Sequence, residues 1–330
     1  MSIAISIITP SFNQARFLEQ TIDSVLSQQY PNLQYAVIDG GSTDGSVEII
    51  RKYEKYLSYW ISEPDAGQSS AINKGLARAT GDVVNWLNSD DYLQPGALKI
   101  LANIFSNPSV NVVAGRGHVV QNGNIVKRTT GTDIYPGNLA KTLGCARIDQ
   151  PETYFRRTIF NQLGNLDESL HLNMDKEFWM RYLIHFGLNG VVKIPDILTN
   201  FRWHDDSKTK SQSSKFELES NGLMYQFAVT NKMDDGAQLI KRSIPCAKDM
   251  LDGTTRKGFK TETSLANKAI DNFFLHKANE AYYRHDHSTC LTLLSCLDRA
   301  SLEPPDARLF DQLKMKSKYL PVWMIKLIRS

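Results

Sequence analysis

Apolar residues in the first hundred positions recur with two alternating periods. Short runs rich in Ile and Val, at Ile3–Thr9, Gln34–Asp39, Tyr59–Ser62 and from Asp82 to Leu87, predict strands, the last of them buried on both faces. Between them, Ala15–Gln28 repeats Leu18, Ile22, Val25 and Leu26 on one helical face. Ser46 to about Tyr56 does the same with Val47, Ile50 and Tyr53, and Ser69–Ala79 continues the series. Strand and helix alternate, which predicts a mostly parallel sheet flanked by helices on both sides. Ligands of such sheets sit beyond the carboxyl ends of the strands. Each predicted strand is followed by a polar cluster (Thr9–Asn13, Asp39–Asp44, Asp65–Gln68, Asn88–Asp91), so these clusters are expected to share one rim.

From Val110 the pattern changes. Val110–Gly115, His118–Val120 and Ile125–Thr129, joined by Gln121-Asn122-Gly123-Asn124, predict antiparallel strands and a hairpin. Gln150–Arg157 leads into a short helix near Thr158–Leu163; Lys176–Phe186 is a helix carrying Phe178, Trp179, Tyr182 and Leu183 inward. Val191–Ile194 and Ile197–Trp203 are expected as two strands. Ser207–Lys215 is polar and expected to be mobile, a linker or lid that separates a catalytic domain, residues 1–206, from a helical domain, residues 216–330. In the latter, Asn267–His285 and Ser288–Ala300 predict a paired antiparallel helix unit. The fold class is therefore α/β with a C-terminal all-helical extension, which is expected to serve acceptor, membrane-surface or oligomer contacts. Tyr319–Arg329 mixes apolar residues with Lys318, Lys326 and Arg329; it reads either as a basic amphipathic foot on a membrane surface or as an ordinary docked helix.

Composition narrows the function. Thirty-eight basic and 35 acidic residues leave a formal charge of +3, too balanced for a general nucleic-acid binder. No run of about 18 apolar residues is present and the first ten residues lack a secretion signal. Cys145, Cys246, Cys290 and Cys296 have no metal-site spacing and read as reduced thiols. The expectation is a cytoplasmic protein, peripheral at most to the inner face of the plasma membrane.

Asn88-Ser89-Asp90-Asp91 carries the candidate chemistry. Two adjacent carboxylates at the end of a buried strand repel each other and are costly to desolvate. A divalent cation, Mn²⁺ or Mg²⁺, removes that conflict; two solvated loop aspartates are the alternative.

ISIITPSFNQARFLEQTIDSVLSQQY, VIDGGSTDGS, EPDAGQSSAINKGL and GDVVNWLNSDDYLQPGAL resemble the nucleotide-binding half of a family-2 glycosyltransferase with a GT-A fold. The likeness covers about the first 205 residues. It implies metal-dependent, inverting transfer of a sugar, hexosyltransferase-type, from a nucleotide diphosphate donor to a glycan or lipid-linked glycan, as in cell-surface polysaccharide synthesis. By the same likeness Thr9, Pro10, Ser11 and Asn13 form the base slot and reach the ribose, and Asp39 accepts the ring N–H of uracil. Gln68, Asn73 and Lys74 open a helix toward the diphosphate; Ser89 and Asp90 contact the donor; Asp91 ligates the metal, and His204 either ligates it too or donates to a phosphate oxygen. Asp175, opening the helix after Asn173-Met174, is the general base, and Glu177 is its rival. Gln150-Pro151-Glu152-Thr153 lines the acceptor side. The match departs from the family at Gly40, Ile72, Asn88 and Met174, where an acid or arginine is usual. A metal-dependent nucleotidyltransferase and a noncatalytic nucleotide-sugar-binding scaffold are the rival functions. The first would want a Gly- and Arg-rich loop after the first strand, which ITPSFNQ is not; the second would want Asp91 and Asp175 lost.

Overall fold

The computed structural model describes residues 3–205 and 207–319. They divide into two compact units: Met1–Ile134, Arg147–Tyr182 and Leu188–Ser213 in the first, Tyr135–Ala146, Leu183–Gly187 and Ser214–Ser330 in the second. The strands are β1 (Ile5–Ser11), β2 (Leu33–Asp39), β3 (Tyr59–Ser62), β4 (Val83–Trp86), β5 (Tyr92–Leu93), β6 (Val112–Gln121), β7 (Asn124–Arg128), β8 (Thr153–Arg156) and β9 (Val191–Arg202). The helices are α1 (Ala15–Leu26), α2 (Ser46–Tyr53), α3 (Gln68–Leu76), α4 (Ala97–Phe105), α5 (Leu139–Cys145), α6 (Arg157–Leu163), α7 (Met174–Phe186), α8 (Lys208–Ser211), α9 (Ser213–Thr230), α10 (Asp234–Ser243), α11 (Thr263–Tyr283), α12 (His287–Ser295) and α13 (Pro304–Tyr319).

In the first unit, strands follow the order β3-β2-β1-β4-β8-β6-β9-β5, with β7 paired to β6. β3, β2, β1 and β4 are mutually parallel; β8 is antiparallel to both β4 and β6, and β9 returns to the common direction. The sheet is therefore mostly parallel, as the βαβ pattern requires. All of β1 and β4 is buried, which explains their continuous apolar runs. α3 lies so close on β1 that a Cβ at Gly75 would stand 2.4 Å from Ile8 Cγ2, so only glycine fits there. On the other half, Phe155 of β8 meets Phe178, Trp179 and Tyr182 edge-on, with centroids 5.3, 6.4 and 6.2 Å apart, pinning α7 against β8.

Two strand expectations need correction. Gln150–Arg157 does not simply lead into a helix: Thr153–Arg156 is β8, the strand that joins the two halves of the sheet. Val191–Arg202 is one strand, not two; Pro195, which has no N–H to donate, falls where the register with β6 shifts between Ala114 and Arg116. The hairpin forms as expected, with Asn122 at φ 50° and Gly123 at φ 79°, the left-handed pair that a tight two-residue turn demands.

The second unit is helical. α11 packs against α5, α12 and α13, and buries Ala278, Ala281 and Tyr282 facing Leu293, Leu294 and Leu297 of the α12 segment. A half-buried ion pair, Lys141 Nζ to Asp306 at 2.6 Å, ties α5 to α13. Of the expected membrane foot only Tyr319 is described; residues 320–329 lie outside the described residues. Among the described residues no helix is long and apolar enough to cross a membrane.

Candidate functional site

The parallel register sets Ser11 beside Asp39, so the loops after β1 and β2 emerge together. Asp39 is fully buried. Its Oδ2 accepts from the N–H groups of Gly41 and Ser42 (3.1 and 2.8 Å) and from Ser62 Oγ (2.7 Å), while Oδ1 accepts from Ser42 Oγ (2.5 Å) and keeps a further lone pair. Asn13 adopts φ 53°, and its Oδ1 accepts the Thr43 N–H at 2.9 Å. Neither Ser11 nor Asn13 caps α1. The first amides of that helix are met instead by Ser46 Oγ and Asp44 Oδ2 from the neighbouring loop. Ser11 Oγ is buried and has no partner among the described residues. Phe12, between Ser11 and Asn13, is 60% exposed, which leaves an aromatic face beside an unused hydroxyl. Pro10 is buried in the same strand end. Thr9 is buried as well, its hydroxyl 3.0 Å from Tyr35 OH inside the fold.

At the start of α3, Gln68 Nε2 donates to Asn88 Oδ1 (2.8 Å) and Gln68 Oε1 accepts from Lys208 Nζ (2.7 Å). Gln68 thus joins the end of β4 to the segment after β9. Asn73 faces elsewhere: its amide bonds Leu166 O, Leu166 N–H and Glu168. Lys74 pairs with Glu63 at 2.8 Å.

The Asn88–Asp91 turn is closed by Asp91 N–H to Asn88 O. Thr21 Oγ1 lies 2.9 Å from Ser89 O and 2.6 Å from Asp91 O, a brace from α1 that nothing in the sequence pattern announces. Asp90 Oδ2 is 3.1 Å from His204 Nε2. The His204 ring packs on Phe17 at 4.6 Å between centroids, and its Nδ1 is buried without a partner among the described residues. The backbone N–H of Arg202 donates to Asp91 Oδ1 at 3.0 Å, and its guanidinium donates to Asp90 O and lies over Phe17 and Tyr92. Asp91 is fully buried, and burial, then the neighbouring Asp90 charge, push its carboxyl well above the usual carboxylate range. The structure therefore brings Gln68, Ser89, Asp90, Asp91 and His204 together, with Arg202 and Thr21 as supports.

Among the described residues no three His, Cys, Asp or Glu side chains converge into a ready-made metal cage. A site of one or two carboxylates completed by substrate phosphates is how proteins commonly hold Mg²⁺. A buried carboxylate held far from its ordinary ionisation fits that donor set.

Asp175 is the second residue of α7 and is half-buried; its Oδ1 accepts from Lys176 N–H at 2.7 Å. Glu177 points into a buried, bidentate pair with Arg181, both bonds 2.8 Å, and Arg181 also donates to Leu163 O and Asn165 O. Gln150 Nε2 donates to Asn85 Oδ1 and Trp86 O (2.9 and 2.7 Å), which places the turn before β8 at the carboxyl end of β4. Glu152, buried in that turn, accepts from Thr129 Oγ1 at 2.7 Å; burial, then Asp149, push its carboxyl up to about 8.

A family model described as Glycosyl transferase family 2 matches residues 6–180. The chain belongs to glycosyltransferase family 2. Similar relatives include an uncharacterised glycosyltransferase of Mycobacterium tuberculosis, 31% identical over 189 residues that cover 54% of this chain and 68% of that protein. Another, from Rickettsia typhi, is 26% identical over 226 residues, 64% of this chain and 68% of its own length. Among solved structures, S. aureus TarS 1–349 in complex with UDP-GlcNAc has a TM-score of 0.57 at 18% identity, covering 96% of this chain and 92% of that one. The longer S. aureus TarS chain gives 0.58 at 16% identity; this chain spans 53% of it. At such identities the likeness is one of fold, the GT-A type.

Proposed function

We propose that this family-2 glycosyltransferase is metal-dependent and inverting, moving a sugar from a UDP-sugar to a hydroxyl of a glycan or lipid-linked glycan in cell-surface polysaccharide synthesis. The observation that carries the reading is Asp91: a fully buried acid with no ion pair among the described residues, at the end of β4 and adjoining Asp90 and His204. Asp39 keeps one lone pair on Oδ1 for the imide N–H of uracil, Phe12 offers a face to the base, and the unused Ser11 hydroxyl suits the ribose. Uridine is supported further by a solved relative's complex with UDP-GlcNAc.

Asp91 and His204 would hold Mn²⁺ or Mg²⁺, whose chemistry is Lewis-acid neutralisation of the charge that develops on the diphosphate. Asp90 orients the donor sugar and Gln68 the diphosphate. Asp175, at the amino end of α7, removes the proton from the acceptor hydroxyl as its oxygen attacks the anomeric carbon. Glu177 is already committed to Arg181, which leaves Asp175 as the base. Residues 207–215 act as a lid, Lys208 reaching Gln68; residues 216–330 serve acceptor, membrane-surface or oligomer contacts. A donor-hydrolysis screen over nucleotide sugars with Mn²⁺ and with Mg²⁺ tests this. The expected result is metal-dependent release of UDP from one UDP-sugar; hydrolysis untouched by chelators overturns it.

A further inference from the structure

Arg116 stands on β6 at the register shift, directly before Gly117, against which Glu152 is packed (a Cβ at Gly117 would lie 2.6 Å from Glu152 Oε1). β6 packs against the turn whose Gln150 bonds the carboxyl end of β4, and the Arg116 charge acts on Lys193 of the adjoining β9. Among the described residues the half-buried Arg116 guanidinium makes no hydrogen bond, ion pair or ring contact, and Nε is fully enclosed without a partner. Its surroundings do not neutralise it. Arg147 engages Asp133 and Asp149 at 2.8 and 2.5 Å. Lys193, whose Nζ donates to Thr132 O, is held below its ordinary value by burial and, against the pull of Asp133, by the charges of Arg147 and Arg116. Glu152, near 8, supplies little negative charge at neutral pH. Three cations thus face the carboxyl groups of Asp133 and Asp149, both engaged by Arg147, and the uncovered cation is the residue with a planar fork suited to carboxylate or phosphate. Enclosing Nε of such a group without a partner costs free energy, which a ligand reached by the rest of the fork would help to offset.

We infer that Arg116 binds an oxyanion of the acceptor, a phosphate or carboxylate, on the β6–β8 side of the rim; this rests on the glycosyl-transfer reading. The acceptor is therefore an anionic glycan or a phosphate-bearing carrier rather than a neutral sugar. The test titrates methyl phosphate calorimetrically into the 330-residue chain with the nucleotide site saturated by UDP and Mg²⁺. Wild type should bind it, Arg116→Gln about ten- to a hundred-fold more weakly, and Arg116→Lys in between, with UDP affinity unchanged within about two-fold. Because Arg116 has no internal partner, the melting temperature of ligand-free Arg116→Gln should match or exceed wild type; a structural role would lower it. Equal binding by wild type and Arg116→Gln overturns the inference, as does no binding by wild type. A ten-fold loss of UDP affinity in Arg116→Gln also overturns it, by putting the guanidinium at the donor diphosphate. If UDP fails to bind wild type, the proposed function fails instead, and the methyl phosphate titration without UDP still decides for Arg116. Should Arg116→Gln not fold, Arg116→Lys carries the comparison.

Discussion

Arg202 meets Asp91 through its backbone: the Arg202 N–H donates to Asp91 Oδ1 at 3.0 Å, while its guanidinium turns to Asp90 O and Gln20, so the attraction between the two charges does not offset the burial that raises the Asp91 carboxyl. The Asp91 carboxylate is positioned but not neutralised by this arrangement. Asp91→Asn should therefore fold at least as stably as wild type in the absence of metal. It should bind UDP at least about ten-fold more weakly with Mg²⁺ present. Calorimetric titration with and without a chelator checks this; an equal loss in both conditions would mean that the carboxylate acts on the nucleotide directly.

Glu152 links stability to pH. Its folded-state value, about 8, lies above the ordinary 4.5, so the folded protein holds a proton that the unfolded chain releases. Stability therefore falls as pH rises from about 4.5 to 8, by an upper bound of the order of 5 kcal/mol. Glu152→Gln should flatten that slope. Denaturant midpoints at pH 5, 7 and 8.5 give the comparison.

Asp175→Asn keeps the side-chain volume and the contact with Lys176 N–H. UDP affinity should be retained while transfer to an acceptor falls by about 10²–10⁴. Undiminished transfer would remove Asp175 from the role of base.

Glu177 and Arg181 are both buried and hydrogen-bonded to each other. Truncating either alone strands a charge, and about 3–5 kcal/mol of stability should be lost. Replacing both with Leu and Met should recover most of it, and a double-mutant cycle by urea unfolding measures the coupling.

Much of the parallel half was legible because burial on two faces writes an apolar run into each strand, as in VVNW, and because turn residues separate those runs. β8 was not: TYFR is four residues whose strand state comes from the slot between β4 and β6, a tertiary fact. Two-residue β5 was equally silent. In the site, the paired acids could be named from their place after a buried strand, and His204 only through the family resemblance. Thr21, whose hydroxyl donates to main-chain carbonyls, and the Arg202 backbone N–H could not, because each contact has a main-chain group at one end, which carries no residue signature. Asn73 reads as a donor contact by position, yet its amide is engaged 93 residues away at Leu166, a pairing that no local pattern encodes.

Asn13, held in a left-handed turn, clasps Thr43 while Ala15 and Gln14 draw on Asp44 and Ser46. The two loops that would frame the base are laced to one another before any ligand arrives. Their freedom is surrendered during folding, so under the proposed function these loops would lose little further backbone freedom when a nucleotide binds. Conformational adjustment, where the reaction needs it, falls to other parts of the molecule.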